Sequence, residues 1–126
     1  MKKILTIDDD QNILRLLEIK LSEAGYAVIK ADNAKLGINI ALDQKPELIL
    51  LDILMPEIDG EKATDILKED KETKDIPIIY ITSLLEKNDV NEGFVSGSKI
   101  GDQPFISKPF ESGELLGMVE RYIGKP

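Results

Sequence analysis

Five short apolar runs divide the chain, and the stretches between them repeat apolar residues at three- and four-residue spacing. A short apolar run bounded by turn residues indicates a buried strand, and the longer spacing indicates a helix with one apolar face. Strands that alternate with helices form a parallel sheet with helices on both faces. The expected strands cover residues 3–7, 26–31, 48–52, 76–82 and 105–107, and the expected helices cover residues 11–24, 34–44, 60–69, 86–98 and 111–123.

The run Leu48–Asp52 is the central feature of this pattern. Four apolar residues lead without alternation into one carboxylate, which is typical of a strand buried on both faces. Pro56 and the turn Asp59-Gly60 follow the strand and cannot extend it. We therefore predict an α/β fold, a flavodoxin-like doubly wound (βα)5 three-layer sandwich with parallel strand order 2-1-3-4-5.

Capping residues and apolar faces define the helices more closely. Asp10 and Asn33 are expected to cap the first two helices, and Gly25 to end the first. Pro104 is expected to shorten the fifth strand, which then begins at Phe105. The inward face of the third helix is expected to contain Ala63, Ile66 and Leu67. That of the last helix is expected to contain Leu115, Val119 and Tyr122.

Composition excludes several classes of chemistry. The chain has no cysteine and no histidine, which removes disulfides, thiolate catalysis, histidine triads and histidine metal sites. Its formal net charge of −8 disfavours direct binding of nucleic acid, because an acidic surface repels phosphates. No apolar run approaches the roughly 20 residues of a membrane span, and the first run is too short for a signal peptide. We expect a cytoplasmic protein with no membrane partner.

Polar side chains follow or end four of the predicted strands. Parallel strands place their carboxyl ends at one edge of the sheet, and the first and third strands flank the point where the strand order reverses. Each such residue alone has an ordinary interpretation as a helix cap, a turn or a surface charge. Together they are expected to meet at this edge. They are Asp8 and Asp9, Asp52, Thr82 and Lys108.

This set of groups is suited to receiving a phosphoryl group. Three carboxylates within a few ångströms repel one another unless a cation lies among them. An all-oxygen donor set selects a hard cation, and a few carboxylates with water and a backbone carbonyl fit Mg²⁺ better than a dedicated Ca²⁺ loop. The amine of Lys108 and the hydroxyl of Thr82 would then neutralise the oxygens of a transferred phosphoryl group.

The chain resembles the receiver domains of two-component response regulators over essentially its whole length. The sequence motif in which an acid is followed by Met-Pro and then by Asp-Gly is highly specific for this family when the family's other motif segments occur in the same order along the chain. The resemblance implies one receiver domain over residues 1–126, with no output domain in the chain. The matching segments are Asp8-Asp9, Asp52-Ile-Leu-Met-Pro-Glu-Ile-Asp-Gly60, Ile81-Thr82-Ser83 and Lys108-Pro109-Phe110.

Asp8, Asp9 and Asp52 are expected to meet at one edge of the sheet, which we call the acidic edge. The resemblance implies a role for each residue there. Asp52 would be the nucleophile that accepts phosphate from a phosphohistidine. Mg²⁺ would be held directly by Asp9, Asp52 and the backbone carbonyl of Leu54, whereas Asp8 would act largely through water. Lys108 would pair with the phosphoryl group.

The resemblance also implies a switch. Thr82 would move to hydrogen-bond the phosphoryl group, and Phe105, at the position of the family's switch aromatic, would turn inward with it. A cis peptide bond between Lys108 and Pro109 is expected from the resemblance alone. Ser83 stands where a smaller residue is common, which narrows access to the site.

On this basis the chain would be a phosphoacceptor signalling module. Its partner would be a sensor histidine kinase or a histidine phosphotransfer protein. Phosphorylation would switch the face formed by the fourth helix, fifth strand and fifth helix, with the chain a monomer or a weak phosphorylation-dependent dimer. It would catalyse only its own phosphoryl transfer and a slow dephosphorylation, since Leu54 and Leu84 overhang the site and cannot orient water.

Three other functions stay open from the sequence. An aspartyl-nucleophile phosphatase of the haloacid-dehalogenase kind would use Asp8 and Asp10, but that family's pattern requires a hydroxyl two residues later, where the chain has Asn12. A flavodoxin-like flavin carrier would need a phosphate-binding loop after the first strand, where three acids would repel phosphate. A receiver-like binding module that is not phosphorylated would leave the acid, hydroxyl and amine set without a purpose.

Overall fold

The computed structural model describes residues 1–53, 60–82, 99–100 and 103–126. The predicted helix over residues 86–98 lies outside these ranges, as do Leu54, Ser83 and Leu84. None of the helices in the described part of the chain has the length and apolar character that a membrane crossing requires. In these ranges the elements are β1 Lys3–Ile7, α1 Gln11–Ala24, β2 Ala27–Ala31, α2 Ala34–Gln44, β3 Leu48–Asp52, α3 Gly60–Glu69, β4 Ile78–Thr82, β5 Lys99–Ile100, β6 Gln103–Ser107 and α4 Ser112–Ile123.

The strands form one sheet in the order β2-β1-β3-β4-β6-β5. The pairs from β2 to β6 are all parallel, which confirms the predicted order 2-1-3-4-5 with β6 as the predicted fifth strand. The addition is β5, a two-residue strand that pairs antiparallel with β6 at the edge. Two residues are too few for a periodic signal in the sequence.

The fifth predicted strand is longer than expected. It begins at Gln103 rather than Phe105, so that Pro104 lies inside β6. On its outer side Pro104 pairs only with Lys99 of the short β5. A proline that cannot donate a hydrogen bond is tolerated where the neighbouring ladder is this short.

Successive residues of the central strands pack into two separate apolar layers. Leu51 and Tyr80 face one cluster with residues of α2 and α3, whereas Leu50 and Ile81 face another with residues of α1 and α4. Every residue of β3 and β4 is buried. The strands therefore lie between two helical layers, as the unbroken apolar run at residues 48–51 predicts.

Local capping fixes the helix ends where the sequence predicts it. The Asp10 carboxylate accepts hydrogen bonds from the backbone N–H of Asn12 at 2.9 Å and of Ile13 at 3.4 Å. The Asn33 side chain accepts one from the backbone N–H of Leu36 at 2.8 Å. Gly25 ends α1 with φ of 109°, a left-handed conformation that favours glycine.

The prediction that Ile66 and Tyr122 face inward is wrong. Ile66 of α3 and Tyr122 of α4 are exposed, with 38% and 37% of their surface accessible. The buried row of α3 instead follows a strict helical spacing, and Ile66 lies off it. Thr64 and Met118 are buried in their respective helices instead, and the complete buried row of α3 is Gly60, Ala63, Thr64 and Leu67.

The two ends of the chain are joined at the amino ends of the strands. The Lys2 ammonium donates hydrogen bonds to the backbone carbonyls of Ile123 and Lys125. The buried Tyr26 hydroxyl donates to the carbonyl of Gly124 at 2.8 Å. We call this set of contacts the terminal clamp.

The terminal clamp predicts a specific pH dependence of stability. Burial, and to a smaller extent the Glu120 carboxylate, raise the pKa of the Tyr26 hydroxyl. A group whose pKa is raised on folding contributes stability below its unfolded pKa of about 10 and loses it as the pH rises through the folded value. The free energy of unfolding of wild type should therefore exceed that of Tyr26→Phe by about 1 kcal/mol near neutral pH, which is the contribution of one hydrogen bond. This difference should shrink above about pH 10. Urea denaturation of both proteins across this range measures it, and a constant difference would contradict the prediction.

Candidate functional site

The carboxyl edge of the sheet brings together acids from two neighbouring strands. Ile7 of β1 pairs with Leu51 of β3, so that the residues following each stand side by side. The structure places one carboxylate oxygen from each of Asp8, Asp9 and Asp52 within 4.8 Å of one another. Asp8 and Asp52 are 1% and 5% exposed, whereas Asp9 faces solvent.

Hydrogen bonds to the backbone and to Lys108 hold Asp8 in place. Its Oδ1 atom accepts a hydrogen bond from the backbone N–H of Asp10 at 2.9 Å, and its Oδ2 atom accepts one from Lys108 Nζ at 2.8 Å. Its own backbone N–H donates to the carbonyl of Ala31 at 3.1 Å. These contacts hold the carboxylate in one orientation beneath the more exposed Asp9.

Lys108 links the two acidic strands from a third one. Its Nζ atom lies 2.8 Å from Asp8 Oδ2 and 3.8 Å from Asp52 Oδ2, and only 14% of its side chain is exposed. Its backbone N–H donates to the carbonyl of Thr82 at 2.8 Å, which fixes the residue at the end of β6. The peptide bond from Lys108 to Pro109 is cis, as expected from the resemblance.

Thr82 and Phe105 are both inside the molecule. Thr82 ends β4 one position beyond Ile81, which pairs with Asp52, so its backbone reaches the same edge. Its side chain is fully buried. Phe105 is also fully buried and packs in the cluster that contains Leu51 and Tyr80. In this structure the aromatic ring is already inside.

The donor set fits a hard divalent cation. The three carboxylates that converge offer oxygen ligands, and among the described residues Lys108 forms ion pairs with two of them, Asp8 and Asp52. Carboxylate oxygens with a solvent-facing side are what Mg²⁺ uses in proteins, since it retains several waters. The backbone carbonyl of Leu54, expected to be a further ligand, lies outside the described residues.

Gly60 is a residue of this region whose role the sequence does not reveal. Its backbone N–H donates to the carbonyl of Ile53 at 2.8 Å. A Cβ atom here would lie 2.6 Å from the Cα of Ile53 and 2.8 Å from the carbonyl oxygen of Asp52. The start of α3 therefore lies directly against the backbone of Asp52. The Asp59-Gly60 pair signals only a turn, because this contact depends on the packing of α3.

Comparison with known proteins identifies the family. A family model described as the response regulator receiver domain matches residues 4–120. The chain belongs to this family. It is 38% identical over 123 residues to the DNA-binding dual master transcriptional regulator RpaA of Synechocystis sp., covering 98% of this chain and 49% of that protein. It is 34% identical over 123 residues to the protein PilH of Pseudomonas aeruginosa, covering 98% of both.

The receiver fold also matches a solved structure that contains a metal. The receiver domain of sensor histidine kinase PA1611 from Pseudomonas aeruginosa superimposes with a TM-score of 0.80 at 25% identity, covering 98% of each chain. That structure has a magnesium ion coordinated in the active site cleft. The present chain spans about half the length of RpaA and of other curated transcriptional regulators that it matches.

Membership of the family fixes the class of function. Receiver domains are signalling modules rather than enzymes in the usual sense. They accept phosphoryl groups from histidine kinases, act on downstream targets and bind Mg²⁺ in an acidic pocket. The chain is accordingly a phosphoacceptor signalling module of a two-component system. Asp10, the second acid of the haloacid-dehalogenase pattern, caps α1 instead.

Removal of Lys108 is expected to destabilise the fold, and Mg²⁺ to compensate in part. In Lys108→Met the nearly buried Asp8 loses its cation, which should cost about 3 kcal/mol of unfolding free energy. A divalent ion bound by the same carboxylates would restore part of this loss. Urea denaturation with Mg²⁺ and with EDTA measures both effects.

The matched control is Lys45→Met. Lys45 forms an exposed ion pair with Glu72 at 2.8 Å, with 58% and 48% of the two side chains accessible. Such an exposed pair is screened by solvent and contributes little to stability, and Mg²⁺ should not alter the effect of its loss. Equal losses in the two variants would contradict a structural role for the Lys108 bridge.

Gly60→Ala is expected to destabilise the protein because its Cβ meets backbone atoms that cannot move aside independently. The expected loss is about 1–3 kcal/mol, the usual cost of overpacking. Gly117→Ala is the control, since a Cβ at Gly117 of α4 meets nothing within 4 Å. That variant should gain about 0.5–1 kcal/mol from helix propensity. Chemical denaturation distinguishes them, and a Gly60→Ala protein as stable as wild type would refute the close contact.

Proposed function

We propose that Asp52 is the residue of this receiver domain that accepts the phosphoryl group. The observation that carries the proposal is the convergence of the Asp8, Asp9 and Asp52 carboxylates with the Lys108 ammonium at one edge of the sheet. A carboxylate oxygen of Asp52 attacks the phosphorus of a phosphohistidine, and the phosphorus–nitrogen bond breaks. The electron pair of that bond returns to the imidazole of the partner.

Asp9 and Asp52, with the backbone carbonyl of Leu54, would hold Mg²⁺, and Asp8 would act largely through water. When bound, the ion offsets negative charge on the phosphoryl oxygens. The Lys108 ammonium, which lies 3.8 Å from Asp52, pairs with the same oxygens after transfer. Asp8 keeps the Lys108 side chain at the site through its 2.8 Å contact.

The partner in this proposal is a sensor histidine kinase or a histidine phosphotransfer protein, since the chain has no histidine of its own. Thr82 and Phe105 would report phosphorylation to the face that includes β6 and α4. The downstream target of that face, the cytoplasmic location and a monomer or weak phosphorylation-dependent dimer stay predictions. Catalysis by the chain would be limited to its own phosphoryl transfer and a slow dephosphorylation.

Phosphorylation by acetyl phosphate tests the acceptor directly. Wild type incubated with acetyl phosphate and Mg²⁺ should gain the mass of about one phosphoryl group, which intact mass spectrometry detects. Asp52→Asn should gain none, because the amide is not a nucleophile, and EDTA should suppress the gain in wild type.

Asp65→Asn is the matched control, because Asp65 is an exposed aspartate on α3 and should leave phosphorylation unchanged. Unaltered labelling of Asp52→Asn, or labelling of a different aspartate in wild type, would overturn the assignment of Asp52.

A further inference from the structure

A buried hydrogen-bond relay connects β4 to the start of α3 behind the acidic edge. The Tyr80 hydroxyl donates to Thr64 Oγ1 at 2.9 Å, and Thr64 Oγ1 donates to the carbonyl oxygen of Gly60 at 2.8 Å. Tyr80 is 3% exposed and Thr64 is 6% exposed. A carbonyl can only accept, so the single proton of the Thr64 hydroxyl goes to Gly60 and that of Tyr80 goes to Thr64.

Gly60 is the point at which this relay reaches the proposed phosphoacceptor. The Gly60 carbonyl accepts the hydrogen bond from Thr64, and the Gly60 backbone N–H donates to the carbonyl of Ile53 at 2.8 Å. The glycine packs so closely on the Asp52 carbonyl oxygen that a Cβ would come within 2.8 Å. A displacement of Gly60 would therefore move the backbone that carries the Asp52 side chain.

The other end of the relay lies among the proposed switch residues. Tyr80 precedes Thr82 by two positions in β4 and pairs in register with Phe105 of β6. Tyr80 and Phe105 pack in the same apolar cluster. The relay thus joins the strand that ends in Thr82 to the backbone of Asp52 through two side-chain hydroxyls.

We propose that Tyr80 and Thr64 are positioning residues for phosphoryl transfer. They hold Gly60 against the backbone of Asp52 and so keep the Asp52 carboxylate in register with Asp8 and Asp9. Neither hydroxyl touches the reacting atoms. This proposal rests on the proposed function of Asp52.

A matched control exists in the turn that follows the same helix. Thr73 Oγ1 donates to the carbonyl oxygen of Leu67 at 2.6 Å, and Thr73 is fully buried. This contact lies at the far end of α3 from Asp52. Thr73→Val removes the same kind of hydroxyl-to-carbonyl bond from α3 without reaching the acidic edge.

The test measures Mg²⁺ affinity by titration calorimetry and the rate of phosphorylation by acetyl phosphate, with folding checked by urea denaturation. Thr64→Val should weaken Mg²⁺ binding and slow phosphorylation roughly three- to tenfold, less than the ~10- to 100-fold cost of losing a partner bonded directly to a metal ligand. Thr64→Ser should restore both values, because it keeps the hydroxyl. Tyr80→Phe should change both in the same direction by roughly two- to threefold.

Thr73→Val should lose stability but keep the Mg²⁺ affinity and the rate of wild type. A folded Thr64→Val protein with wild-type values, or an equal loss in Thr73→Val, would overturn the positioning role and leave Asp52 as acceptor. If Thr64→Val does not fold, Tyr80→Phe decides: reduced affinity and rate support the proposal, and unchanged values overturn it. A wild-type protein that takes no phosphoryl group on Asp52 would overturn the proposed function and the relay with it.

Discussion

The bridge from the Lys108 ammonium to two carboxylates is the interaction on which the site depends. Asp8 and Asp52 are nearly buried, and buried carboxylates are costly unless a cation and hydrogen bonds compensate them. Parallel pairing of β1 with β3 forces these acids together, and β6 delivers the cation from beyond β4. In the part of the chain that the structure describes, the positive charge of Lys108 offsets only part of the formal negative charge of Asp8, Asp9 and Asp52. The fold thus builds an edge that favours further positive charge and then a phosphoryl group.

Much of this arrangement could be predicted from the sequence because its signals are local. β1, β3 and α2 have the bounds predicted for them, since each is a short apolar run or an amphipathic stretch with a cap beside it. The acids and the lysine could be placed at one edge because alternating strands and helices allow few topologies. The assignment of Asp52 as the nucleophile and of Thr82 and Phe105 as switch residues follows from the family resemblance.

The remainder depends on contacts between distant segments. β5 has two residues, and its pairing is determined by β6. The sequence does not reveal the contact between Thr64 and Tyr80, because a threonine within a helix and a tyrosine within a strand give no sign that their hydroxyls will meet. The apolar character of Ile66 predicts a core position, but the helical spacing through Gly60, Ala63 and Leu67 turns it outward. Side-chain orientation at helix margins follows the packing, which a periodic pattern specifies only approximately.

The terminal clamp has a practical consequence for experiments on this molecule. Lys2 and Tyr26 hold the last residues at the amino ends of the strands, whereas the carboxylates stand at the opposite ends. A five-residue strand separates the two edges by about 16 Å. A fluorophore, affinity tag or surface tether attached to either terminus would therefore leave the acidic edge open to a docking protein.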